Sequence, residues 1–167
     1  MAFYEDRIFP HVMEWGTRPF RRSCEQALAQ AHGRVLEVGV GTGANLRYYT
    51  PAVTEVVGIE PVESMLNTAR ERLQKSPPAF RWQLQLADAR ALPFADASFD
   101  SVVAIVGLCT IPEPEKGAAE AFRVLRPGGR LVFFEHVVAE DAGIARWQHR
   151  INPLWRKMAC GCEIIRD

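Results

Sequence analysis

The stretch Glu37-Val38-Gly39-Val40-Gly41-Thr42-Gly43 constrains this chain more than any other. The apolar run Arg34-Val35-Leu36 feeds straight into it, which reads as a buried strand, a tight loop and then a helix start. Glycines suit that loop because it must reach φ > 0 and let the backbone approach a ligand closely. Such loops, like helix N-termini, offer free N–H groups to a nucleotide-like or carboxylate-bearing ligand. Many loops are glycine-rich, so the rest of the chain has to say which ligand this one holds.

Downstream, strand and helix patterns alternate. After strand one (34–39), Ala44 to Tyr49 begin a helix that stops before Pro51. Val56-Val57-Gly58-Ile59 is a short strand ending at Glu60-Pro61, and 62–74 is a helix with Val62, Leu66, Ala69 and Leu73 on one face. Trp82, Leu84 and Leu86 alternate with Gln83 and Gln85 as in a half-exposed strand. Phe99 to Val106 fits a central strand. Pro114 opens a helix whose face is Ala118, Ala121, Phe122 and Leu125, and Leu131 to Val138 is the fifth strand. Ahead of all this, residues 1–15 carry a helical apolar face interrupted by Pro10, and 18–32 form a helix with Phe20, Cys24, Ala27, Leu28 and Ala31 inward.

The expected fold is α/β: a doubly wound, Rossmann-like, mostly parallel sheet with helices on both faces. Residues 1–33 form N-terminal helices on the substrate side, 34–138 the core, and 139–167 a C-terminal helical segment. In such sheets ligands bind at the carboxyl ends of the strands beside the switch point. That rule gathers Gly39–Gly43, Glu60, Asp88, Val106–Thr110 and Glu135–His136 around one crevice.

Composition excludes some partners. Twenty basic and twenty acidic residues balance, so no nucleic acid is expected. The four cysteines show no C-x-x-C and no completing His cluster, so no metal is expected and the thiols read as buried or idle in a reducing cytosol. No signal-peptide h-region and no apolar run of roughly eighteen residues is present, and a cytoplasmic location is expected.

Three acids fall where an adenosine-bearing ligand would explain them. Glu60 ends the second strand, where a carboxylate can take both ribose hydroxyls at once. Asp88 ends the third and could accept from an adenine amino group. Glu37, just before the glycines, can orient the loop or reach a ligand ammonium. For any one acid alone, a solvated strand end is the alternative. The glycines depart from G-x-G-x-x-G by placing the third one position early, which disfavours a dinucleotide.

At these residues the chain resembles class I S-adenosylmethionine-dependent methyltransferases. The matching segments are Val35 to Gly43, Gly58-Ile59-Glu60-Pro61, Ala87-Asp88-Ala89, Leu92-Pro93-Phe94, Ser98-Phe99-Asp100 and Arg123 to Gly129, in the family's order across 34–135. The resemblance implies that Glu37 and Gly39, Gly41 and Gly43 hold the methionine moiety of S-adenosylmethionine. It implies that Glu60, with Pro61, holds the ribose and that Asp88 with Ala89 holds the adenine, with Val106 beside the cofactor and Met65 packed near the adenosine or else simply a core methionine. The outer segments, Phe3 to Pro10, Leu108 to Pro112, Glu135-His136, Asn152 to Arg156 and Gly161 through Asp167, look like the thiol methyltransferase-like subgroup. Phospholipid N-methylating bacterial enzymes match them less well. Gly107 to Pro112 replaces the Asn/Asp-Pro-Pro-aromatic motif of base and glutamine methylation, which is therefore disfavoured. A nicotinamide-dependent oxidoreductase and a non-catalytic cofactor-binding module are the rivals of other classes.

The expected acceptor is small and apolar, a thiol or else a phospholipid or other N/O acceptor. A free thiol has a pKa of about 8.5, so a base would help; His136 is the candidate, the alternative being that it only orients a loop or binds cofactor through its neighbours, and no catalytic residue is assigned. Along 144–158, Ile144, Trp147, Ile151, Leu154, Trp155 and Met158 share a helical face broken at Asn152-Pro153. With Arg146, Arg150, Arg156 and Lys157 beside them, that stretch suits peripheral contact with an anionic membrane, the alternative being a helix packed on the sheet with a solvated basic face. The family closes its sheet with a C-terminal β-hairpin, which would need roughly 35–40 further residues, so a truncated end is expected. Without that hairpin, strand five is an edge open to a second copy of the chain.

Overall fold

The computed structural model describes residues 15–16 and 18–166, so the helix expected around Pro10 and the segment Phe3 to Pro10 lie outside the described residues. Five strands, β1 (Gly33–Val38), β2 (Val53–Glu60), β3 (Arg81–Leu86), β4 (Phe99–Ile105) and β5 (Leu125–Phe134), form one sheet. Their order is β3-β2-β1-β4-β5 and every pairing is parallel. Among the described residues, the α-helices that accompany them include α1 (Arg21–Leu28), α2 (Glu63–Lys75), α3 (Pro114–Val124) and α4 (Ala142–Met158).

Parallel strands covered on both faces read as continuous apolar runs, and β1 shows why. Val35 points into a core with Cys24, Leu28, Leu66 and Leu73 of α1 and α2. Its neighbour Leu36 points the other way, into a core with Phe99, Ala121 and Val124 on the α3 side. The order of strand addition, not the strand direction, reverses between β1 and β4, which puts the crevice at their carboxyl ends.

Four local expectations are corrected. Ala44 to Tyr49 is not a helix: turns lead into one 3-10 turn, Leu46–Tyr48. Gly43 is left-handed at φ 72° and Pro51 follows closely, leaving too short a run to nucleate α-helix. The helix from Pro114 is rotated, with Gly117, Ala121 and Val124 buried while Ala118 and Phe122 face solvent. Strand five begins at Leu125, and the Pro127-Gly128-Gly129 turn is a bulge within it: Phe99 pairs Leu125 but Ser101 already pairs Arg130. Finally, α4 runs unbroken through Pro153. Its turns there are held by Asn152, buried and accepting the Ile164 N–H at 3.1 Å, and by packing of Ile151 and Trp155.

Candidate functional site

The glycine turn crosses the end of β2. Gly39 and Val40 both donate to the Ile59 carbonyl (3.0 and 2.9 Å), and Gly43 closes on Val40 at 2.9 Å. Gly39, Gly41 and Gly43 all take left-handed φ, 55–72°, where a side chain would strain the backbone. Opposite them stands Gly107, after β4. A Cβ on Gly107 would lie 2.8 Å from the Val38 carbonyl, so only glycine lets the ends of β1 and β4 approach this closely.

Two buried acids brace the turn. Glu60 accepts the Gly41 N–H on Oε2 (3.0 Å) and the Val62 N–H on Oε1 (3.1 Å). Burial pushes its pKa up, and those two N–H groups pull it back. Glu37 accepts the Tyr49 hydroxyl on Oε2 at 3.0 Å, while its Oε1 is buried with no hydrogen-bond partner among the described residues. Burial pushes the Glu37 carboxyl up to about 7, opposed by Tyr49 and Asn45. Tyr49 is itself pushed upward by the same burial and by the carboxylate.

Around these lies a cavity of about 190 Å³. Val38, Gly39, Ile59, Glu60 and Pro61 form one side; Asp88, Ala89 and Arg90 an end; and Gly107, Thr110, Ile111 and Pro112 the apolar far wall. Sites that bury a whole small molecule typically reach roughly 300–1,000 Å³, so the described residues make walls and a floor rather than a closed chamber.

Arg90 was not foreseen. Its guanidinium grips Asp88 through Nε and Nη2 (2.6–3.1 Å), and its own N–H donates to Asp88 Oδ1 at 2.9 Å. That grip lowers the Asp88 pKa and occupies acceptor sites the sequence reading gave to an adenine amine. Arg90 also reaches Glu113 at 3.1 Å, tying this end of the cavity to the start of α3.

Glu135 acts from behind the wall. Its carboxylate accepts the N–H groups of Gly107, Leu108 and Cys109 (2.9, 2.9 and 3.1 Å), which fastens the turn after β4. His136 is not among the cavity-lining residues. Its Nδ1 sits 3.3 Å from Cys162 Sγ and 3.8 Å from Cys109 Sγ, and those sulfurs are 3.4 Å apart. Contact with Cys162 raises the His136 pKa, and Cys162 is drawn down to about 5 by Cys109 first and by His136. Cys109 moves up, chiefly through its hydrogen bond with Cys162. Met65 and Val106 pack on the same cluster, with Ile151 and Trp155, and neither is among the cavity-lining residues. No short-range Cys/His spacing announces this grouping, because its members are 27 and 26 residues apart.

The family model for "Methyltransferase domain" matches residues 36–133, well over half the chain. Phosphatidylethanolamine N-methyltransferase of Cereibacter sphaeroides is 40% identical over 76% of this chain and 62% of its own length. Human thiol S-methyltransferase TMT1B is 33% identical over 95% of this chain and 70% of its own. The YcgJ protein of Bacillus subtilis superposes with a TM-score of 0.70 at 27% identity, over 87% of this chain and 60% of that one. The chain thus spans about half to 70% of the length of the curated relatives it matches. The glycine turn, the acids at the ends of β1 and β2 and the parallel sheet in the order β3-β2-β1-β4-β5 frame a crevice at the carboxyl ends of the strands, where open α/β sheets take ligands. The chain belongs to the class I methyltransferase domain family, transferases whose methyl donor is S-adenosylmethionine.

Proposed function

We propose that this chain transfers a methyl group from S-adenosylmethionine to a small apolar acceptor, a thiol foremost. The observation that carries the cofactor placement is Glu37 Oε1, buried without a partner among the described residues at the end of β1. An α-ammonium beside it supplies the missing donor and the compensating charge. Glu60 spends one acceptor site per oxygen on Gly41 and Val62, keeping a site on each for a ribose hydroxyl. Asp88 and Ala89 edge the adenine end, and the turn at Gly39, Gly41 and Gly43 carries the methionine arm.

Bound S-adenosylmethionine supplies an electrophilic methyl on a sulfonium. The residues after β4 give that methyl an apolar wall of Gly107, Ile111 and Pro112, which excludes water and aligns an in-line nucleophile. His136 is turned onto two thiols, so we assign no base among the described residues.

Supporting a thiol acceptor, the likeness to TMT1B runs over 95% of the chain. Phospholipid N-methylation is the second reading, favoured by the higher identity to the Cereibacter enzyme and by α4. Ile144, Trp147, Leu154 and Met158 are exposed on α4, with the exposed Arg150 and Lys157 in the same helix. That face suits peripheral contact with an anionic lipid surface. No helix among the described residues is long and apolar enough to cross a membrane.

Formation of S-adenosylhomocysteine should be followed with alkyl and aryl thiols and with phosphatidylethanolamine vesicles. Turnover with thiols alone supports the first reading; turnover with vesicles alone replaces it by the second. Cofactor binding with no turnover on any thiol, amine or phenol leaves only a binding module.

A further inference from the structure

We propose that Cys109, His136 and Cys162 form a binding site for a zinc-class divalent ion, which clamps the segment after α4 to the back of the crevice wall. Three separate parts of the chain supply the donors: the 3-10 turn Leu108–Thr110 after β4, the exit of β5, and the turn that follows α4. Their donor atoms all lie within 4.8 Å of one another.

The spacing is that of a coordination polyhedron. With metal–sulfur bonds of about 2.3 Å and metal–nitrogen bonds of about 2.0–2.1 Å, tetrahedral angles put two sulfurs about 3.8 Å apart and sulfur and nitrogen about 3.6 Å apart. The three observed edges are 3.4, 3.3 and 3.8 Å, so an ion enters with shifts of a few tenths of an ångström. Two thiolates with one imidazole are a soft donor set, which selects zinc over magnesium or calcium. Each thiol gives its proton to solvent as the ion binds, and two thiolates neutralise a divalent charge in a place where Cys109 and Cys162 are each 1% exposed. No fourth Cys, His or carboxylate joins the group among the described residues, which leaves the fourth position to water.

The surroundings are built to hold these donors still. Glu135 fixes Cys109 through the three N–H groups of its turn. On the other side, Cys160 and Gly161 take consecutive left-handed conformations, φ 46° and 97°, and fold the chain back so that Cys162 meets Cys109. A non-glycine residue there stores strain, which persists only where the surroundings enforce it. Glu163 N–H and the Arg166 side chain both donate to the Cys109 carbonyl (3.0 and 3.4 Å), repeating the same tether. Because Gly107 and Thr110 flank Cys109 and line the cavity, the ion would stiffen that wall without touching the cofactor.

The test uses the full chain, purified with a phosphine reductant, stripped with chelator and titrated with zinc, and in parallel with cobalt(II) as a spectroscopic probe. One equivalent of zinc and a thiolate-to-cobalt charge-transfer band are expected, both lost in Cys162→Ser and weakened at least ~10-fold in His136→Ala. S-adenosylhomocysteine binding, measured on every variant, reports whether each is folded. A wild-type chain that binds S-adenosylhomocysteine yet takes up no zinc overturns the site and leaves the methyltransferase reading standing. Zinc uptake undiminished in folded Cys162→Ser overturns it too, as does a Cys109–Cys162 disulfide, seen as a loss of two hydrogens by mass, in chain purified without reductant.

Discussion

The two sides of the crevice are built in opposite ways. On the cofactor side, Glu37, the three glycines and Glu60 lie within one strand–turn–strand stretch, where Glu60 accepts the Gly41 and Val62 N–H groups and Glu37 accepts the Tyr49 hydroxyl. Behind the far wall, Glu135, His136, Cys109 and Cys162 come from three places and meet only when β4, β5 and the turn after α4 are assembled. The first side is a local structure awaiting a ligand. The second is a tertiary knot whose parts hold each other.

Substitutions separate the two. Glu60→Ala should have the largest effect, because it deletes the ribose acceptors and frees the Gly41 and Val62 N–H groups together. Hydrogen bonds to a charged group contribute about 1.5–3 kcal/mol each, so affinity for S-adenosylmethionine should fall by at least ~100-fold in isothermal titration. Unchanged affinity would remove Glu60 from the site.

Glu37 comes next, through pH. Its carboxyl is pushed up to about 7 in the folded chain, above an ordinary value of 4.5, so the folded state holds a proton that the unfolded state has released. The resulting stabilisation is complete below about pH 4.5 and is lost as pH rises through about 7, a swing on the order of 3 kcal/mol. Glu37→Gln should flatten that slope in denaturant titrations of the ligand-free chain, and an equally steep slope in the variant would assign the proton elsewhere. In the wild type, binding of S-adenosylmethionine near pH 6 should release a proton, visible as a buffer-dependent enthalpy.

Smaller effects probe the edges. Asp88→Asn should weaken S-adenosylmethionine about 10-fold, while Arg90→Ala should change it by no more than about 5-fold, since an exposed ion pair is screened by solvent. The reverse ranking would transfer the adenine contact to Arg90. Trp147→Glu with Leu154→Glu should abolish flotation with anionic liposomes and leave cofactor affinity untouched; no flotation of the wild type would sink the lipid contact. Smallest of all, Phe133→Lys on the exposed β5 edge should shift any dimer seen in sedimentation towards monomer, and an unchanged profile removes that edge as the interface.

How far the chain was legible follows the same divide. Central strands announce themselves because burial on both faces demands unbroken apolar runs, as at Val56-Val57-Gly58-Ile59 and Ser101 to Ile105. Positions where packing overrides periodicity were misread. Phe122 looks like a core residue but is 74% exposed, since the smaller Gly117 lets α3 lie close against Ile111. Pro153 looks like a break, but buried Asn152 anchors the helix beside it. Asp88 was legible as a strand-end acid, whereas its capture by Arg90, two residues on, depends on side-chain geometry that no spacing encodes.

By itself the sequence determined the parallel sheet, the left-handed glycine turn and the acids at the ends of β1 and β2. These depend on neighbours in the chain, where pattern and conformation are coupled directly. Only the tertiary structure decided that Glu135 fastens the turn after β4, that His136 lies against two thiols, and that Cys109 and Cys162 come within 3.4 Å across 53 residues. Contacts of that separation are set by how layers pack and where loops return, and no local periodicity reports them.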